Sequence, residues 1–193
     1  MNTYRNVVSF YQLHGHKNPK PQTPNPKPTH IIDRWILTRL SQTVSAMTQH
    51  LDSYEIVEAA RVLEALVLDM STWWLRRSRE RLKAGDEAAH ATLRFVLAET
   101  AKLLAPFVPF LAEETWMALG YDESVHLTLW PEAAGETDTL LISAMDDVRT
   151  ITSALLDART RAKILVRQPL ARAVIKNVPR LLAPELVTVL QEE

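Results

Sequence analysis

The chain has 193 residues, 47 % of them hydrophobic, no cysteine and a formal net charge of −1. That length holds one well-buried domain with part of a second, while the lack of cysteine excludes disulfides and thiolate metal sites and makes the cytoplasm the expected compartment. No run of about eighteen apolar residues occurs, and MNTYRNVVSFYQLHG lacks the basic start, apolar centre and cleavage site of a leader, so no membrane association is expected.

The first expected element is a short amphipathic helix within residues 1–14, where Tyr4, Val7, Val8 and Tyr11 recur at helical spacing. Residues 15–29 follow as a proline-rich strap: five prolines between Pro19 and Pro28 cannot continue a helix and should run extended. A helical bundle is then expected over residues 30–168. Ile32, Trp35, Ile36, Leu40, Val44, Met47 and Leu51 make one apolar stripe. Asp52-Ser-Tyr-Glu55 has the form of a capping box and should open a second long helix, whose stripe passes through Ile56, Ala60, Leu63, Leu66, Val67, Met70 and Trp73 and stops at Gly85.

The pattern restarts from Asp86 to Leu104, is broken by Pro106 and Pro109, and resumes from Phe110 to Leu119. SVHLTLWPE, residues 124–132, is too short and proline-bounded for a helix and reads as an extended strap on apolar surface. Thr139 to Lys163 should be the last long helix, burying Leu140, Leu141, Met145, Val148, Ile151, Leu155 and, just beyond it, Ile164. Residues 169–193 read as the start of a further module: ARAVIKNV alternates like a short strand, and APELVTVLQEE like a small helix. The expected fold class is therefore mainly all-α, an antiparallel bundle of about five helices with a short β-containing C-terminal piece.

Charge is sorted along the chain. Residues 1–32 contain no acid, 76–83 carry five bases against Glu80, and 158–184 hold seven bases without an acid, whereas nine acids and no Lys or Arg lie between Leu103 and Val148. Such blocks fit a polyanion-facing side, and they also fit solvated helix faces. On a wheel of about 100° per residue, Arg77 and Arg81 continue the stripe of Trp73 and should brace the bundle rim, where a charge needs a carboxylate or anion. Arg76, Arg79 and Lys83 face outward. Guanidinium forks match phosphate oxygens, and Trp74, expected to be partly exposed, offers a stacking plane. Arg159, Arg161, Lys163 and Arg167, at the end of the last helix, are candidate phosphate contacts as well. Two rival readings exist: a helical adaptor using the acidic region, and a metal-dependent hydrolase on His14, His16 and His30, which lacks carboxylates at matching spacing.

The blocks taken together resemble the anticodon-binding domain of class I aminoacyl-tRNA synthetases, closest to the isoleucyl branch, with valyl and leucyl relatives next. NTYRN, DRWILTRL, the run TWWLRRSRER, LLAPFVPFLAEETW, SVHLTLWPE and ARTRAKILVRQPL occur in the family's order, and KILVRQPL is what favours the isoleucyl branch. RERLK departs from the aromatic pair usual there, and the proline-lysine strap departs from a more acidic linker. The resemblance implies a tRNA-binding function directed at the anticodon stem-loop of the isoleucine acceptor, in a chain without catalytic residues, cofactor or metal of its own. The His-x-Gly-His and Lys-Met-Ser-Lys-Ser signatures are absent from this sequence. ATP and magnesium would be held by a separate catalytic domain, a partner within the same synthetase, and the resemblance implies a monomer.

Overall fold

A computed structural model describes residues 2–15, 26–133, 137–166, 168–176 and 182–191. The chain divides into two compact units, Met1–Thr137 and Asp138–Glu193. All regular structure among the described residues is helical.

In the first unit, α1 (Asn2–His14) buries Tyr4, Val7, Val8 and Tyr11, the four residues of its apolar stripe. Next, α2 (Ile31–Asp52) begins behind His30, whose ring nitrogen accepts the Ile32 amide at 3.4 Å. It buries Trp35, Ile36, Leu40, Val44 and Met47 against α3 (Ile56–Leu68), which contributes Ala59, Leu63 and Leu66. A π-helical segment, Asp69–Leu75, continues α3 without a break into α4 (Arg76–Lys83). Gly85, at φ +82°, then ends the helix. Its amide bonds Leu82 O at 3.1 Å and the Asp86 amide bonds Arg81 O at 3.0 Å, the paired bonds of a glycine-terminated helix. In turn, α5 (Glu87–Leu104) starts on the Asp86 carboxylate, which accepts the Ala89 amide at 3.1 Å, and α6 (Pro109–Ala118) starts on a proline at a position where no amide is needed.

The core lies where α2, α3, the π segment and α5 meet, with Trp35, Met47, Leu66, Met70, Leu93 and Leu97 all fully buried. Arg94 is buried too. Its guanidinium donates to the Tyr11 hydroxyl at 3.1 Å and to the Leu119 carbonyl, tying α5 to α1 and to the end of α6.

Several expectations need correction. Asp52-Ser-Tyr-Glu55 forms no capping box, because α2 runs on through Asp52 and the chain reverses through Tyr54 at φ 59°. Glu55 stands at the N-cap of α3 instead of in its first turn, makes no side-chain cap bond, and accepts the His50 ring N–H at 2.6 Å. The 124–132 strap opens with a single 3₁₀ turn, Val125–Leu127, that buries Val125. Glu113 fixes it by accepting the Ser124 hydroxyl and the Val125 amide, and Trp130 donates to the Thr48 hydroxyl at 2.8 Å, while Leu127 and Leu129 face solvent. Most of the proline-rich strap lies outside the described residues.

In the second unit, α7 (Thr139–Arg161) begins at Asp138, which accepts the Leu141 amide at 2.9 Å. It buries Leu141, Met145, Val148 and Ile151, whereas Leu140, expected inside, is 75 % exposed. The expected strand at ARAVIKNV is not formed over residues 171–176, and 177–178 lie outside the described residues. A lone strand has no ladder to complete, so alternation alone does not make one. The expected terminal helix is present as α8 (Pro184–Gln191), which packs on α7.

Candidate nucleic-acid interface

Asp33 organises the basic helix. It is 0 % exposed, in the first turn of α2, and its Oδ1 accepts the Trp74 indole N–H at 2.8 Å and Arg81 Nη1 at 3.2 Å, while Oδ2 accepts Arg81 Nη2 at 2.7 Å. The third nitrogen of the same guanidinium, Nε, donates to Asp86 Oδ2 at 2.8 Å. Burial alone would lower the Arg81 pKa, but Asp33 and then Asp86 outweigh it by bonding and attraction and leave it raised. For Asp86, burial would raise the pKa, and the Ala89 amide and Arg81 reverse that and leave it lowered. One arginine thus joins the start of α2, the end of α4 and the cap of α5. A buried carboxylate held by a fork and an indole N–H leaves little freedom in the rotation of α4 about its axis.

The π segment sets that rotation. A π turn closes on the fifth residue instead of the fourth, so the helix advances less per residue across Asp69–Leu75. The buried stripe moves on by one position, from the line expected through Trp73, Arg77 and Arg81 to one through Trp74, Ser78 and Leu82. The expectation of a partly exposed Trp74 is overturned: its ring is 1 % exposed, more buried than Trp73 at 8 %, and offers no face to a base.

The remaining bases of α4 divide by exposure. Arg77 is half-buried, with its guanidinium carbon 3.3 Å from the centroid of the Trp73 ring. Arg76, Arg79 and Lys83 are exposed; Arg79 lies 5.6 Å over the Phe10 ring, and Lys83 pairs with Glu80 at 3.0 Å across one turn. Exposed pairs of that kind contribute little to stability.

A second basic group closes α7. Arg159 Nη1 donates to the Leu165 and Gln168 carbonyls at 3.2 and 2.9 Å, Arg161 and Lys163 are exposed, and Arg167 lies outside the described residues. His30 caps α2, the His14 ring lies tilted against Phe10 with centroids 4.5 Å apart, and His16 is outside the described residues. Among the described residues no group of three or more His, Asp or Glu could hold a metal ion, and no helix is long and apolar enough to cross a membrane.

Sequence reasoning missed Asp33 and Asp86 as partners. A signal was present for the first: Asp33 borders the apolar stripe of Ile32, Trp35 and Ile36, and an acid at that edge requires a donor.

Residues 33–184 match the family described as the anticodon-binding domain of tRNA ligase. This chain belongs to that family. As an anticodon-binding domain it is 38 % identical over 202 residues to the isoleucine–tRNA ligase of Streptomyces coelicolor, covering 99 % of this chain and 19 % of that protein. It is 39 % identical over 171 residues to that of Nocardia farcinica, covering 88 % and 16 %, and 37 % identical over 184 residues to that of Deinococcus radiodurans, covering 91 % and 17 %. The domain spans less than a fifth of the length of these curated relatives. The LeuRS–tRNA–LeuAMS ternary complex of Agrobacterium radiobacter K84 superposes with a TM-score of 0.46 at 17 % identity, over 73 % of this chain and 16 % of that one. Asp33, Trp74, Arg81 and both basic groups fall within the matched residues of the anticodon-binding domain.

Proposed function

We propose that the domain binds the anticodon stem-loop of the isoleucine-acceptor tRNA on behalf of an isoleucine–tRNA ligase of the cytoplasm, in which ATP, magnesium and the acyl-transfer chemistry belong to a catalytic domain. The enzyme acts as a monomer. The observation that carries this reading is the Asp33–Arg81–Asp86 network, which fixes α4 within the family-matched region while Arg76, Arg79 and Lys83 stay outside. Those three meet phosphate oxygens, which position the RNA without reading its sequence. Arg77 and Arg81 serve the rim and do not touch RNA.

Direct comparison of tRNA species tests the proposal. The chain should bind an isoleucine-acceptor transcript in preference to a transcript of another acceptor, and binding should weaken steeply with salt because each neutralised phosphate releases counterions. Absence of binding at low ionic strength, or binding indifferent to salt, would point to a protein-binding adaptor instead.

A further inference from the structure

The end of α7 divides its bases between two kinds of work. Lys163 stands at φ 57°, a backbone region that L side chains rarely occupy. Its amide bonds Thr160 O at 3.1 Å and the Ile164 amide bonds Arg159 O at 2.9 Å, so the helix ends by the device that uses glycine at Gly85, here with a lysine in glycine's place. The chain beyond is closed on itself: the Gln168 amide donates to Leu165 O at 3.0 Å, and Arg159 Nη1 spans the Leu165 and Gln168 carbonyls. At the tip Leu165 is 75 % and Val166 60 % exposed. Neither the side chain of Lys163 nor that of Arg161 makes a hydrogen bond or ion pair among the described residues. A held loop, an apolar tip in solvent and a lysine kept where glycine would be relaxed are together more than a helix end requires.

We infer that Arg159 is a positioning residue, not a phosphate contact: it holds the turn from Ala162 to Val166 so that Lys163 meets a tRNA phosphate and Leu165 lies against a ribose or base face. The inference rests on the tRNA-binding reading above and adds to it which groups touch the RNA and which one shapes them. It reassigns Arg159, whose Nη1 is committed to two backbone oxygens.

The test is a double-substitution cycle read with the full chain, isoleucine-acceptor tRNA and amide hydrogen exchange without RNA. Lys163→Gly should raise the melting temperature, by relieving the backbone, and yet weaken tRNA binding by roughly ten- to a hundredfold, about one charge-assisted bond, with the slope of log K against log salt flattened by about 0.7 to 0.9. Leu165→Ser should weaken binding without changing that slope. Arg159→Ala should speed exchange at the Gln168 amide and weaken binding, but should cost less than about twofold more in the Lys163→Gly/Leu165→Ser background, because groups that act through one another are not additive. Additive losses, which would make Arg159 an independent phosphate contact, or an unchanged exchange rate in Arg159→Ala, would overturn the inference while leaving the tRNA reading intact. Absence of tRNA binding by the unsubstituted chain would overturn the tRNA reading itself, an outcome the exchange measurement does not touch.

Discussion

Asp33 has no access to water, so its charge depends on the Trp74 indole and the Arg81 fork. Removing the fork strands a buried carboxylate: Arg81→Met should destabilise the first unit by about 3 to 5 kcal/mol, measured as a shift in the urea midpoint at constant slope. Trp74→Ala should cost about 3 to 5 kcal/mol through lost packing alone, and Trp74→Phe, which keeps most of the ring but drops one donor, about 1 to 3 kcal/mol. Arg76→Ala and Arg79→Ala, on the exposed side, should stay within about 0.5 kcal/mol. Asp86 adds a pH dependence. Its folded pKa lies below its unfolded value, so its contribution is complete above the unfolded value of about 3.9 and is lost as pH falls through the folded one. Melting temperature should therefore rise with pH through that acidic window, and Asp86→Asn should make the rise shallower.

Among the elements, the π segment has the largest consequence. Deleting Thr72, an exposed residue within it, should restore ordinary helical spacing and, because it removes the one position by which the stripe is displaced, keep Ser78 and Leu82 in the core. A loss below about 3 kcal/mol is expected, and one above about 4 kcal/mol, comparable to the most damaging core changes, would show that the segment does not account for the phase. Helix ends offer a smaller gain: Tyr54→Gly should stabilise by roughly 0.5 to 1 kcal/mol, the left-handed penalty less the entropy of glycine.

These elements also mark what the sequence made legible. The spans of α2, α5, α6 and α8 follow from apolar period, Gly85, Pro106 and Pro109, all local signals. The π segment has no such signal, since DMSTWWL suits an ordinary helix and only packing on Asp33 and the core chooses otherwise, which is why the wheel misplaced Trp74. The supposed capping box failed because its residues suit either a helix start or a helix end, and α2 claimed Asp52 first. The alternation of 171–176 misled because a strand is a property of a sheet, not of a segment. At the site, the outward placement of Arg76, Arg79 and Lys83 could be read from the wheel. Their role toward RNA remains the proposal.

At the scale of the whole molecule, a net charge of −1 conceals blocks of opposite sign, and the basic blocks at 76–83 and 158–184 belong to different compact units. On the proposed reading, those blocks face the phosphates of the tRNA bound by this anticodon-binding domain. The slope of log K against log salt for binding of isoleucine-acceptor tRNA tests this most directly, compared between the unsubstituted chain and Arg76→Ala/Arg79→Ala. With two phosphate contacts removed, the slope should flatten by about 1.4 to 1.8 while the melting temperature stays put. An unchanged slope in the double variant would contradict phosphate binding by α4 and make its arginines a solvated helix end.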